Sequence, residues 1–168
     1  MLLNWSNIDT VLLDMDGTLL DLHFDNYFWM THLPLRYAEL FNLDLSSAKR
    51  SLVRRLDEKK GTLDWYSTEF WSNELCVDIL ALKREVKHLI RERPKVSKFL
   101  VDLGVHRKER ILVTNADHHS MEIKFAETTI CKNLDQMISS HEFGFPKEHR
   151  EFWYALQRTL AFDPDKTL

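Results

Sequence analysis

The chain has 168 residues, 44% of them hydrophobic and 29% charged, with 23 basic against 26 acidic residues and a formal net charge of −3. That composition excludes a disordered or collagen-like chain. The length suits one domain, or one domain carrying an insertion, with core enough to fold without disulfide or metal staples. No basic surplus marks a nucleic-acid partner.

The N-terminus, Met1-Leu2-Leu3-Asn4-Trp5-Ser6, lacks the basic start and apolar core of a signal peptide. No apolar run approaches the ~20 residues of a membrane span. The first strand signal is Thr10–Leu13, a continuous apolar run that suits a strand buried on both faces. It runs into Asp14-Met15-Asp16-Gly17-Thr18.

From about Leu22 to Lys95 the pattern is helical. Ser46 or Ser47 caps a helix through Ala48, Leu52 and Leu56 that Gly61 ends. Its basic residues, Lys49 to Lys60, read as a solvated face. A second helix runs from Asp64 through Trp65, Tyr66, Phe70 and Trp71. A third carries Ile79, Leu82, Val86 and Leu89, and Pro94 ends it. The segment reads as a helical cap inserted into the domain, giving a core of 1–21 and 96–168 and a cap of 22–95.

Strand and helix then alternate. A helix over Val96–Leu103 stops at Gly104. A second strand, Arg110–Val113, ends at Thr114-Asn115. A helix over His119–Thr129 leads to a third strand, Asp135–Ser140. A helix over Lys147–Leu160 follows Pro146, with Phe152, Leu156 and Leu160 every four residues. A fourth strand begins at Thr167-Leu168. The alternation predicts an α/β domain with a parallel sheet. Cys76 and Cys131 stand in no metal-ligand or redox spacing. They read as two buried thiols in a reducing cytosol, and the expected location is cytoplasmic.

The chemistry concentrates at Asp14-Met15-Asp16-Gly17-Thr18-Leu19-Leu20-Asp21. Two carboxylates at the C-terminal end of a parallel strand stand where α/β ligands bind. Gly17 permits a sharp turn, and one carboxylate can attack while the other manages a proton. His118 and His119 invite a metal reading, but adjacent histidines do not converge easily on one ion. Trp29, Trp65, Tyr66 and Trp71 suit either a base-stacking wall or cap core, and core is the preferred reading.

This segment resembles the first motif of the haloacid dehalogenase (HAD) superfamily of phosphohydrolases. Ile111-Leu112-Val113-Thr114-Asn115 resembles its second motif and Phe145-Pro146-Lys147 its third, with a helical cap between the first two. More narrowly, Thr10 to Asp21, Asp25-Asn26-Tyr27-Phe28-Trp29 and Phe143-Gly144-Phe145-Pro146-Lys147-Glu148 are similar to the bacterial GMP/IMP 5′-nucleotidases of that superfamily. The resemblance implies a HAD-like Rossmannoid fold and a small phosphorylated substrate, a purine nucleotide. It implies Asp14 as the nucleophile that becomes an aspartyl-phosphate, and Asp16 as general acid and then base. Thr114, Asn115 and Lys147 would hold the phosphoryl group. Asp14 and the backbone carbonyl of Asp16 would bind Mg²⁺. The acid at Asp16 favours phosphate chemistry over the dehalogenase branch.

The family's fourth motif, an acidic pair after the next strand, has no counterpart up to Leu168. The expectation is therefore a chain truncated before that motif, with a weakened Mg²⁺ site. The first strand would then lie at an open edge prone to self-association. Two alternatives stay open: a phosphatase or phosphomutase of small sugar phosphates, and a non-catalytic remnant or binding module.

Overall fold

The computed structural model describes residues 4–168. The reading of the first three residues, Met1 to Leu3, as no signal peptide lies outside them. Three parallel strands form the sheet in the order β1 (Thr10–Leu13), β2 (Glu109–Thr114), β3 (Gln136–Ser139). The register pairs Leu12 with Ile111 and Val113 with Ile138. As the apolar runs require, the sheet is covered on both sides. Ile111, Val113 and Ile138 pack with Phe152 and Leu156 of the last helix. Val11, Leu13 and Leu112 face the larger cluster on the other side.

Between β1 and β2 the helices are α1 (His23–Tyr27), α2 (Leu33–Phe41), α3 (Leu45–Lys59), α4 (Leu63–Tyr66), α5 (Thr68–Leu75) and α6 (Ile79–Glu85). After them come α7 (Val96–Val105), α8 (His118–Ala126) and α9 (Arg150–Leu160). Phe28–His32, between α1 and α2, winds as a π-helix. Pro34 supplies the reason, because its ring cannot accept the ordinary turn against the carbonyl four residues back. The insert leaves and rejoins the sheet at one place. Asp21 N–H donates to the Arg91 carbonyl at 3.0 Å, and Arg93 N–H to the Leu19 carbonyl at 2.9 Å. α6 packs on α8, and one hydrophobic cluster runs from the insert (Leu52, Trp71, Ile79) to the strands.

Several boundaries differ from the sequence reading, each for a local reason. Asp44, not Ser46 or Ser47, caps α3, its carboxylate accepting from both serine N–H groups at 2.8 and 3.1 Å. The aromatic helix expected from Asp64 breaks at Ser67, whose hydroxyl caps α5 by accepting from Phe70 N–H. The third cap helix ends at Glu85, and Lys87–Leu89 forms a 3₁₀ turn instead. Gly104 does not stop α7. A Cβ there would lie 2.5 Å from the Arg110 guanidinium, so glycine admits that side chain. α8 begins one residue earlier than expected and ends at Ala126. α9 begins at Arg150, which leaves Lys147 in the preceding turn.

Where a fourth strand was expected, Thr167 forms an isolated parallel bridge to Thr10. Leu168 N–H donates to the Thr10 carbonyl at 3.0 Å, and Leu12 N–H to the Leu168 carbonyl at 2.7 Å. This corrects the expectation of an open β1 edge, because 166–168 already pair along it. The cysteines are also corrected: both are free, Cys76 exposed and Cys131 half-buried. Cys76 ends α5 in the left-handed conformation, which turns it outward. Among the described residues no helix is long and apolar enough to cross a membrane.

Candidate active site

Asp14 and Asp16 follow β1 directly. Met15 between them is fully buried, and Gly17 turns the chain at φ +84°, where a side chain would be strained. Gly17 N–H then donates to the Leu20 carbonyl at 2.8 Å, closing a tight loop around the two acids. The loop holds the carboxylates in different surroundings. Asp14 faces an open cleft of about 350 Å³ lined also by Asp16, Thr114, Asn115, Lys147 and, beyond the expected residues, Glu148. All five residues expected from the motifs therefore line one cleft.

Lys147 donates to Asp14 Oδ1 at 2.5 Å and to the Val113 carbonyl at 2.8 Å. Its backbone is held by Asn115, whose Oδ1 accepts from Lys147 N–H at 2.8 Å. The Asn115 amide donates to both Glu148 oxygens, at 3.2 and 3.0 Å. The Asn115 side chain is thus engaged in placing the Lys147 turn. The Thr114 hydroxyl accepts from Ala116 N–H at 3.1 Å, which leaves its own proton free to donate. Tyr66 reaches across from α4, and its hydroxyl donates to Glu148 Oε1 at 2.9 Å. Burial alone would raise the Glu148 carboxyl. Donors from its own backbone, Tyr66 and Asn115, with the Lys147 charge, outweigh it and hold the group below its usual range.

Asp16 meets a residue that the sequence reading missed. Lys124 of α8, 3% exposed, donates to Asp16 Oδ1 at 2.7 Å and to Asp25 Oδ1 and Oδ2 at 3.1 and 2.9 Å. Burial raises the Asp16 carboxyl, Lys124 opposes it, and Asp25 and Asp14 add to it; the net shift is upward. Burial of Lys124 disfavours its charge, but Asp16 and Asp25 outweigh that and hold its ammonium above the usual range.

A second buried lysine, Lys83 of α6, donates to the Ser120 hydroxyl at 2.7 Å. Burial pulls it down. Asp117 caps α8 by accepting from Ser120 N–H at 2.8 Å. It also accepts from the Thr68 N–H and hydroxyl, tying α5 to α8. His118 and His119 lie exposed in the first turn of α8, with His118 Nε2 3.7 Å from Glu142. Trp71 is fully buried core, as preferred, whereas Trp29, Trp65 and Tyr66 line a cavity of about 250 Å³ beside the cleft. A groove of about 550 Å³ at Trp5, Phe99 and His106 shares no residue with these groups.

Among the described residues no group of three or more His, Cys, Asp or Glu side chains is gathered to hold a metal. The ligands that the resemblance implies are oxygens: the Asp14 carboxylate and the Asp16 carbonyl. Lys147 takes Asp14 Oδ1, while among the described residues Oδ2 meets only the Thr18 hydroxyl, at 3.4 Å. That oxygen set suits a hard cation which keeps several waters and needs one or two carboxylates.

The chain is 37% identical over 164 residues to the GMP/IMP nucleotidase YrfG of Escherichia coli, covering 98% of this chain and 74% of that protein. The structure of a HAD phosphatase from Thermococcus onnurineus superposes with a TM-score of 0.81 at 16% identity, over 95% of this chain and 75% of that one. The chain belongs to the HAD superfamily. No sequence-family model matches it. The HAD-hydrolase YfnB of Bacillus subtilis, solved with magnesium bound, shares the fold with a TM-score of 0.63 at 17% identity, over 95% of this chain and 78% of that one. Within the HAD superfamily the chain is a phosphohydrolase.

Proposed function

We propose that this HAD protein hydrolyses purine nucleoside 5′-monophosphates through an aspartyl-phosphate on Asp14, with Mg²⁺, and that residues 22–95 act as its substrate-reading cap. The observation that carries the reaction is the division of labour between two neighbouring carboxylates. Asp14 opens on the cleft beside a lysine, while Asp16 is drawn toward its protonated form by burial. Paired groups held apart in this way are the usual sign of a nucleophile and an acid.

An Asp14 oxygen attacks phosphorus as the bond to the nucleoside oxygen breaks, and Asp16 gives that oxygen its proton. Asp16, now a carboxylate, takes a proton from water as the water oxygen attacks the aspartyl-phosphate, releasing phosphate and restoring both acids. Lys147 offsets charge on Asp14 and the phosphoryl group, and the Thr114 hydroxyl donates to a phosphoryl oxygen. Asn115 and Glu148 keep Lys147 in place. Asp14 and the Asp16 carbonyl would hold Mg²⁺ together with waters, and the ion would supply positive charge to offset the phosphate dianion and the carboxylate.

The purine reading draws on the curated relative and on Trp29 and Trp65 beside the cleft. Two free cysteines suit a reducing compartment, the cytoplasm. The test is phosphate release from GMP, IMP, pyrimidine monophosphates and small sugar phosphates over a Mg²⁺ titration. Preference for the purine nucleotides, rising with Mg²⁺, supports the reading; equal turnover of the sugar phosphates contradicts it.

A further inference from the structure

Two lysines lie buried where the insert meets the sheet. Lys124 is ion-paired with Asp16 and Asp25. Lys83 is not. Its side chain is 3% exposed, and among the described residues no carboxylate comes within ion-pair distance of it. An ammonium has three donors and no acceptor. One goes to Ser120, and the rings of Phe28 and Trp29 stand 5.7 and 5.6 Å from the nitrogen. No further acceptor meets it among the described residues. A buried amine with one hydroxyl partner, lining a cavity, suits a ligand that brings hydrogen-bond acceptors.

Lys83 lines the 250 Å³ cavity together with Trp29 and Trp65. Asp16, Leu22, Tyr66 and Ala116 line both that cavity and the phosphate cleft, so the two spaces adjoin. A phosphate seated against Asp14 and Lys147 sends its leaving group past Asp16 toward these side chains.

We propose that Lys83 determines specificity here, donating to the oxygen and ring nitrogen on one edge of a 6-oxopurine and discriminating against 6-aminopurines. The assignment rests on the purine-nucleotide reading. A 6-oxopurine presents two acceptors on that edge, O6 and N7, whereas adenine sets an amino donor beside N7. An all-donor ammonium matches the first and meets a donor in the second. A desolvated site built on hydrogen bonds rejects a mismatch more strongly than one built on apolar fit. Trp29 and Trp65 supply ring contacts that tolerate either base. Ser120, fixed through its N–H to Asp117, sets where the ammonium points.

The experiment compares the full chain with Lys83→Met and Ser120→Ala, using GMP, IMP, AMP and phenyl phosphate. It reads KM and kcat, and nucleotide binding through quenching of tryptophan fluorescence. In Lys83→Met, KM for GMP and IMP rises on the order of 10- to 100-fold, the effect of losing the charge-assisted hydrogen bonding to that edge. KM for AMP moves much less, so the preference collapses, and kcat changes less than KM. Ser120→Ala keeps the lysine but frees it, shifts the preference the same way by less, and carries the test if Lys83→Met does not fold. A GMP-over-AMP preference that survives both substitutions overturns the role of Lys83 and leaves the nucleotidase reading standing. A wild-type enzyme that cleaves phenyl phosphate but no purine monophosphate overturns the nucleotidase reading and the assignment with it.

Discussion

The Tyr66 hydroxyl donates to Glu148 Oε1 at 2.9 Å and so joins the helical insert to the turn that carries Lys147. Glu148 in turn accepts from Asn115, and Asn115 accepts from Lys147 N–H. The phosphate cleft is thus braced from both sides of the molecule. Tyr66→Phe removes one bond and keeps the ring. It should cost about 1 kcal/mol of stability by urea unfolding, and raise KM a few-fold while Lys147 stays on Asn115.

Lys124 balances two carboxylates in a buried position. Lys124→Met leaves Asp16 and Asp25 facing each other without it, and should cost roughly 3–5 kcal/mol in chemical denaturation. It should also move the pH profile. A general acid must hold its proton, so kcat/KM falls as pH rises through the Asp16 value, which burial already raises. Removing Lys124 removes the main influence pulling that value down. The alkaline limb therefore shifts upward in the variant.

Asp14 and Asp16 should separate in their mutants. Asp14→Asn abolishes turnover, because an amide does not attack phosphorus. Asp16→Asn slows both steps by on the order of 10² to 10⁴. Steady-state phosphate release measures both.

The strands and their terminal acids were legible because continuous apolar runs ending in Asp14, Asp16, Thr114 and Asn115 need no tertiary information. Lys147 is legible only through the resemblance of Phe145-Pro146-Lys147 to the family's third motif, and the turn at Pro146–His149 puts it ahead of the helix. Lys124 and Lys83 were not found. Each stands on a buried helix face, Lys124 beside Met121 and Ile123 and Lys83 beside Ile79 and Leu82. A lysine on an apolar stripe is a readable signal. Its meaning comes from partners far along the chain, Asp16 at 108 positions and Ser120 at 37. Asp44 was overlooked because two serines beside it also suit an N-cap.

Asp44 yields a stability prediction with a definite sign. Donors from Ser47 and Ser46 hold its carboxyl below the usual range. The cap therefore stabilises α3 above the unfolded carboxylate value, and the contribution is lost as pH falls through the lower folded one. Asp44→Ala should lower the melting temperature at neutral pH, and the difference from wild type should shrink in strong acid.

The most direct test of the account is acid quenching of the enzyme during turnover of ³²P-labelled GMP, followed by peptide mapping. The account predicts hydroxylamine-labile label on the peptide containing Asp14, and none in Asp14→Asn. Phosphate release without label at Asp14, or with Asp14→Asn turning over at the wild-type rate, would contradict it.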